Sequence, residues 1–419
     1  MLNDLWWLFQ CSVLILPLFP ALGAIGLLIV ITGIWRDRWS QIISYPLNWG
    51  LALFGVWLII NSFLAAYPQE AWLGLANFLP FLALFAALSQ LIKYPSQLRR
   101  LSWLLILPSL PIVILGMGQL WLNWSTPDWL AAIVGWQLVP QGEPPGRMSS
   151  VFIYTNFLAI YLAIAATLAV GIAIAQKETR TRKKKQWWVW LLLITIIFLD
   201  SLGLILTSSR NAWGVAFLSF IAFAVYLGWR WLVYAITAAT TAILWASFLP
   251  DLGGQWWRKI VPAFLWGRLS DQMYPDRPVE TLRITQWQFC WNLIQERPLI
   301  GWGLRNFTPL YQAKMNVWFG HPHSLFLMLT TEIGIVATIL LSAIVAWVMT
   351  KGILLLKSDF YQRDRPVLFS YLVAFTGCIL FNLVDVTIFD LRVNLMIWIL
   401  FSAISGIILQ SIENRLFKF

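Results

Sequence analysis

The two histidines of the chain stand together in His321-Pro322-His323-Ser324, directly ahead of a long apolar run. A ring at the start of a helix meets the positive end of the helix dipole, which disfavours an imidazolium and favours the neutral form. A neutral imidazole is a general base, and His323, next to the run, is the candidate. Chelation of a metal by His321 and His323 is the competing chemistry; no nearby carboxylate or Cys is expected to complete that site. Arg210 follows Thr207-Ser208-Ser209 and opens a second apolar run. A cation in a first helical turn opposes the dipole, whereas the free N–H groups there favour an anion. A bound phosphate reconciles the two better than a snorkelling surface arginine does. Arg147, in Gly146-Arg147-Met148-Ser149-Ser150, and Arg283 also stand near expected helix starts. Guanidinium groups grip phosphate oxygens in pairs, so three of them suit a diphosphate.

The elements that must carry these groups are membrane helices. Of 419 residues, 60% are hydrophobic and 11% charged, against about half and about a quarter in soluble domains. The 28 Trp suit a membrane–water interface. The expected fold is all-α, a polytopic transmembrane bundle of about eleven or twelve spans, each needing roughly 20 apolar residues. They fall near 10–34, 45–65, 72–92, 101–121, 151–176, 187–207, 211–228, 231–249, 324–350, 367–386 and 391–411. Residues 5–35 carry Pro17 and Pro20, so they form one broken helix or a short hairpin. Without a basic leader or small-residue cleavage signal, that stretch reads as structure and not as a signal peptide. Cys11, Cys290 and Cys378 are far apart, with no metal spacing.

Alternate linkers differ in charge. Arg36, Arg38, Lys93, Arg99, Arg100, the run from Lys177 to Lys185, Arg230, Lys351, Lys357, Arg363, Arg365, Arg415 and Lys418 all fall in one set. The positive-inside rule puts that set in the cytoplasm. The net charge of +11 then reads as topology and lipid anchoring, not nucleic-acid binding. Residues 122–150 and about 250–323 lie outside. The second of these has an excess of Arg and Lys over Asp and Glu, which calls for an anionic partner. Within it, 279–296 has a helical pattern, with Leu282, Gln286, Phe289 and Leu293 on one stripe and Trp287, Trp291 and Ile294 on another. Arg297-Pro298 stops that helix, Gly301-Trp302-Gly303 reads as a turn, and Asn306 to Met315 as a second short helix. Asp200, Glu332 and Asp385 sit in or near spans, where carboxylates mark a polar interior or an ion path. Glu332 lies nine residues after His323, hence on the opposite helix face, and does not orient it.

Several segments together resemble the O-antigen ligase family and its related polymerases. Leu206-Thr207-Ser208-Ser209-Arg210-Asn211-Ala212-Trp213 resembles its Ser-Arg-x-x-Trp helix start. Arg283 through Phe307 resembles its outer-loop pattern of Arg, Trp, Pro-Leu and Gly-x-Gly. His323-Ser324 with Gly334 resembles its His-(Asn/Ser/Gln)-x9-Gly motif, and Gly146-Arg147 with Thr155-Asn156-Phe157-Leu158 resembles the segment leading into its fifth span. Thr155-Asn156 replaces the usual Pro-Asn, and Ala337 stands where Gly, Thr or Tyr is common. The resemblance divides the chain into N-terminal membrane helices over 1–140 and a ligase-like membrane domain over 141–419, including the outer loop 250–323. It implies an inverting, metal-independent glycosyltransferase without cofactor, in the inner (plasma) membrane, with its site facing the periplasm. The donor would be a glycan on undecaprenyl diphosphate, and the acceptor a lipid such as lipid A-core or another glycan. His323 would deprotonate the acceptor; Arg210 and Arg283, with Arg147, would hold the diphosphate; Asn156 and Arg305 would help to bind substrate. Glycan polymerase and protein O-glycosyltransferase differ only in acceptor. Some family members have been described as bicarbonate transporters, and Asp200, Glu332 and Asp385 would then line the path. Against that reading, no matching pair of broken helices is visible. Oligomeric state is left open.

Overall fold

Proline punctuates the bundle. Pro20, Pro46, Pro68, Pro95 and Pro366 each fall at the first or second position of a helix, where a missing N–H costs nothing. A computed structural model describes residues 2–179, 187–270, 278–357 and 364–416. The basic run of 177–185 lies outside the described residues from 180 onward. Among the described residues there are helices and no strand. In chain order they are α1 (Leu2–Ile15), α2 (Pro20–Ser44), α3 (Pro46–Phe63), α4 (Pro68–Gly74), α5 (Leu79–Leu91), α6 (Pro95–Ile106), α7 (Ser109–Trp121), α8 (Asp128–Val134), α9 (Thr155–Thr179) and α10 (Trp187–Leu206). There follow α11 (Arg210–Tyr226), α12 (Arg230–Phe248), α13 (Gly254–Ile260), α14 (Ala263–Leu269), α15 (Arg283–Glu296), α16 (Phe307–Met315), α17 (Leu325–Leu355), α18 (Arg365–Leu383) and α19 (Leu391–Leu416). Among the described residues, ten stretches are long and apolar enough to cross a membrane, with α4–α5 and α6–α7 each forming one; α11 is a shorter apolar helix. The protein is a multi-pass membrane protein.

The N-terminal stretch is the hairpin and not a single span over 10–34. Gly33 lies against Leu5, Gly26 against Ser12 and Gly23 against Leu16, so α1 and α2 run antiparallel in close contact. At 14 residues, α1 is about 21 Å long, short of the roughly 30 Å hydrocarbon core. The hairpin touches α6 along α1 and the segment after α8 at its turn. Trp7 lies near the Arg100 guanidinium, 5.7 Å from the ring centroid. The Leu18 carbonyl accepts the Trp136 indole N–H at 2.6 Å.

Contacts between linkers respect the charge pattern. Lys93 pairs with Glu413 at 2.9 Å and Arg99 with Asp364 at 2.6 Å, all in the basic set. On the other face, Tyr67 N–H donates to Asn306 Oδ1 (2.6 Å) and Arg305 pairs with Glu70 (3.1 Å). The bundle centre is α9, α18 and α19, each 72% buried over its apolar window. Gly171 of α9 lets that helix press on Ser370 of α18, which fixes the ends of both relative to each other.

The long span α17 is broken at Gly334. Gly334 has φ 84 and ψ 164, a conformation open essentially to glycine alone. The break frees carbonyls that lipid cannot satisfy, and the outer loop supplies the partners. Trp302 N–H donates to Thr331 O (3.0 Å), Gly303 N–H to Glu332 O (2.8 Å), and Ile335 N–H to Pro298 O (2.8 Å). Asn61 of α3 donates to Ile300 O and Glu332 O, and Trp57 to Ile333 O. Residues 298–303 are thus plugged into the wall of the bundle, and α15 and α16 hang from that plug. The expected helices over 279–296 and 306–315 are present as α15 and α16. The buried face of α15 carries Gln286, Phe289, Cys290, Leu293 and Ile294, with Phe289 edge-on to Phe307 and Tyr311 of α16.

A Cβ at Gly334 would lie 2.0 Å from Leu299 O. Gly334→Ala is expected to destabilise the protein by at least the roughly 1–3 kcal/mol of backbone strain, seen as a lower melting temperature in detergent. Gly214→Ala, which meets nothing within 4 Å, serves as control. Equal melting of the two variants would refute the plug.

Candidate active site

Ser324 caps α17, its hydroxyl accepting Leu327 N–H at 3.4 Å. The residue before it, His323, sits at φ 51, in the left-handed region that non-glycine residues rarely adopt. Neighbours hold it there. Its N–H donates to His321 Nδ1 (3.2 Å), and Trp287 of α15 donates its indole N–H to Pro322 O (2.9 Å). The His323 ring faces Asp385, in the loop between α18 and α19, with Nδ1 3.4 Å from Oδ1.

Asp385 is buried and accepts from three sides. Val386 N–H reaches Oδ1 at 2.9 Å and Asn156 Nδ2 reaches Oδ2 at 2.6 Å, besides the His323 ring. Burial pushes its pKa up, but the His323 hydrogen bond, the two imidazoles and the Val386 N–H together hold it below the usual carboxylate value. A carboxylate can only accept, so His323 Nδ1 carries the hydrogen, and in the neutral ring the lone pair is on Nε2. This is the arrangement of an oriented base. The loop that carries Asp385 is itself clamped. Buried Arg392 pairs with Asp390 (3.0 Å), donates to Val151 O (2.8 Å) and lies over the Phe152 ring.

Asn156, in the first turn of α9, joins this pair to the arginine segments. Its Oδ1 accepts from Ser209 Oγ (2.9 Å) and from Arg147 Nη2 (3.3 Å). Arg147 Nε also donates to Thr207 O (2.9 Å). Gln119 of α7 fixes the Arg147 loop, accepting from Ser149 and Ser150 N–H and donating to Ser149 Oγ. Ser209 is the residue before α11, so the exposed Arg210 starts its helix beside the same network. Arg283 likewise opens α15 and is exposed. Its charge acts on His321, whose pKa is lowered to about 4 by burial first, then by the neighbouring His323 and by Arg283, with Asp385 opposing.

The structure thus gathers His323, Arg147 and Asn156 by direct contacts, with Arg210 and Arg283 at their edge. Arg305 is placed elsewhere: it pairs with Glu70 on α4, and no described contact joins it to the network. Glu332 does not orient His323; it accepts from Phe307 N–H (3.3 Å). The residue that orients the ring is Asp385, and the expectation that no carboxylate stands near the histidines is corrected. His321, His323 and Asp385 bring donor atoms within 4.8 Å of one another, a set with the donor types of a metal site. His321 Nδ1 and both carboxylate oxygens of Asp385 are already engaged in the hydrogen bonds above. Asp385 comes from a loop 62 residues beyond His323, too distant in sequence to be paired with it by spacing.

A family model described as O-antigen ligase matches residues 193–342. That stretch holds Arg210, Arg283, His323 and the Gly334 break, whereas Arg147, Asn156 and Asp385 lie outside it. Comparison with curated proteins found no match.

Nitrogen-15 NMR of the His323 ring in purified protein is expected to show the Nδ1–H tautomer, and Asp385→Ala to lose that preference. An unchanged tautomer in Asp385→Ala would show that the carboxylate does not set it.

Proposed function

We propose that this chain, whose residues 193–342 match the O-antigen ligase family, is a membrane glycosyltransferase that moves a glycan from undecaprenyl diphosphate onto an acceptor hydroxyl. The reaction takes place on the non-cytoplasmic face of the inner membrane. The acceptor is lipid A-core or a similar lipid or glycan. The observation that carries this reading is the continuous network Arg147–Asn156–Asp385–His323, with Arg210 and Arg283 at adjoining helix starts. A base and a set of phosphate-binding cations that share one hydrogen-bonded frame suit a displacement at a sugar–diphosphate bond.

In the step, His323 Nε2 takes the acceptor O–H proton as that oxygen attacks the anomeric carbon. The bond from that carbon to the phosphate oxygen breaks, and its electron pair leaves with the diphosphate. One displacement inverts the anomeric centre. Arg210 and Arg283, with Arg147 behind them, balance the charge that grows on the leaving oxygen; a preorganised donor of this kind contributes about 3–4 kcal/mol. Asp385 stays ionised and steadies the imidazolium that forms. A general base contributes about 10²–10⁴ in rate. Residues 141–419 form the transferring unit, and residues 1–140 brace it, α3 through Trp57 and Asn61 at the α17 break. A lipid diphosphate has its reacting phosphates at the membrane surface, where these arginines stand.

His323→Ala is expected to leave the melting temperature near that of the native protein and to lower glycan transfer about 100-fold or more. Arg210→Ala and Arg283→Ala are each expected to lower it by about 100-fold. Chelation with EDTA is expected to leave the rate unchanged. Full transfer in purified His323→Ala and Arg210→Ala proteins would sink the proposal. Acceptor identity is read by comparing glycan chain length with lipid A attachment in a deletion strain.

A further inference from the structure

His323 is held twice, once by its ring and once by its backbone, and only the ring contact belongs to the base chemistry described above. The backbone contact is to His321. A residue at φ 51 returns to ordinary backbone unless something holds it, and the Ser324 cap acts only on the residues after it. The holding group is His321 Nδ1, which accepts His323 N–H at 3.2 Å. An accepting Nδ1 carries no hydrogen, so the ring is neutral with its hydrogen on Nε2. Burial favours the same state, drawing the His321 pKa to about 4.

The His321 ring is itself fixed. It stacks on Phe389, with centroids 6.0 Å apart and planes at 14°, and meets the His323 ring edge-on at 4.6 Å. Phe389 belongs to the same short loop as Asp385. One loop therefore places the His323 ring through Asp385 and the His323 backbone through Phe389 and His321. The peptide between the two histidines is pinned from outside by Trp287, on the helix that begins with Arg283.

We propose that His321 is a positioning residue, a neutral imidazole whose Nδ1 latches the left-handed backbone of His323 and so aims its Nε2 at the acceptor hydroxyl. This rests on the reading of His323 as the base. The role needs an acceptor atom on a short planar side chain, not a second titrating group. Asparagine offers Oδ1 near the place of Nδ1, whereas phenylalanine keeps the stacking on Phe389 and lacks the acceptor.

The test is steady-state transfer by purified full-length His321→Phe and His321→Asn proteins, with kcat and KM measured separately. His321→Phe is expected to lower kcat about 10- to 100-fold, the scale on which a misplaced reacting group acts, with KM within about twofold of native. His321→Asn is expected to recover most of kcat. If Phe proves unable to fold by melting and gel filtration, His321→Ala deletes the same acceptor without bulk and replaces it. Native kcat in the acceptor-less variant, no rescue by Asn, or a loss confined to KM would each overturn the proposal. His323→Ala run alongside separates the two readings. An inactive His323→Ala with an active His321→Phe removes only the latch; an active His323→Ala removes the base itself.

Discussion

Inside a bilayer a backbone carbonyl has no water to turn to, and the break in α17 makes that constraint govern the outer loop. At Gly334 the helix interrupts its own ladder, and residues 298–303 answer with hydrogen bonds to Thr331, Glu332 and Ile335. The α15–α16 pair packs through Phe289, Phe307 and Tyr311, a small core of its own fastened to the bundle by that seat, by Asn306 at Tyr67 and by Trp287 at Pro322. Because α15 begins at Arg283 and reaches Pro322 through Trp287, the seat also fixes where a cation and the histidine segment meet. The spacing from His323 to Gly334 thus has a physical content: it measures the length of helix between the site and the point that anchors its outer wall.

The site joins segments far apart in sequence. Arg147 comes from the loop before α9 and Asn156 from its first turn, Ser209 and Arg210 from the start of α11, His323 from the start of α17 and Asp385 from the loop after α18. The close crossing of α9 and α18 at Gly171 lets Asn156 and Asp385 meet at their shared end. Asn156 is suited to the centre of such a frame because an amide both donates and accepts. It gives its N–H to a carboxylate and receives from a serine and an arginine, so neither kind of neighbour is left unsatisfied in a buried place. An aspartate there would set two carboxylates against each other, and a leucine would strand both sides.

Much of this was legible in the residues. Hydropathy located nearly every span, since an apolar run of span length has few other folds, and the helix starts at Arg210 and Leu325 followed from local signals, whereas the helix expected over 279–296 begins only at Arg283. Prolines at 17 and 20 left hairpin or broken helix open, because the decision lay in how Gly23, Gly26 and Gly33 face α1, a tertiary fact. Asp385 was visible only as an expensive carboxylate near a span end, and its partner could not be read because helix order along the chain does not give helix order in the bundle. Arg305 shows the opposite failure. Its position in an arginine-rich loop matched the others, but a single turn placed it beside Glu70, where an exposed pair of this kind adds little.

The charges of the site are sorted by depth, and that sorting decides what each can do. Asp385 is buried and held ionised by three donors, so its charge is fixed and serves its neighbour. His321, adjoining and also shielded, is held neutral, so it adds no cation that would compete for that carboxylate. Two protonated rings beside one carboxylate would leave an excess positive charge in the site. The guanidinium groups of Arg210 and Arg283 remain at the exposed rim, where the proposed diphosphate donor would meet them. With a fixed anion inside, an imidazole oriented on it and cations at the edge, the proposed reaction would carry a proton inward and hold the leaving anion outward.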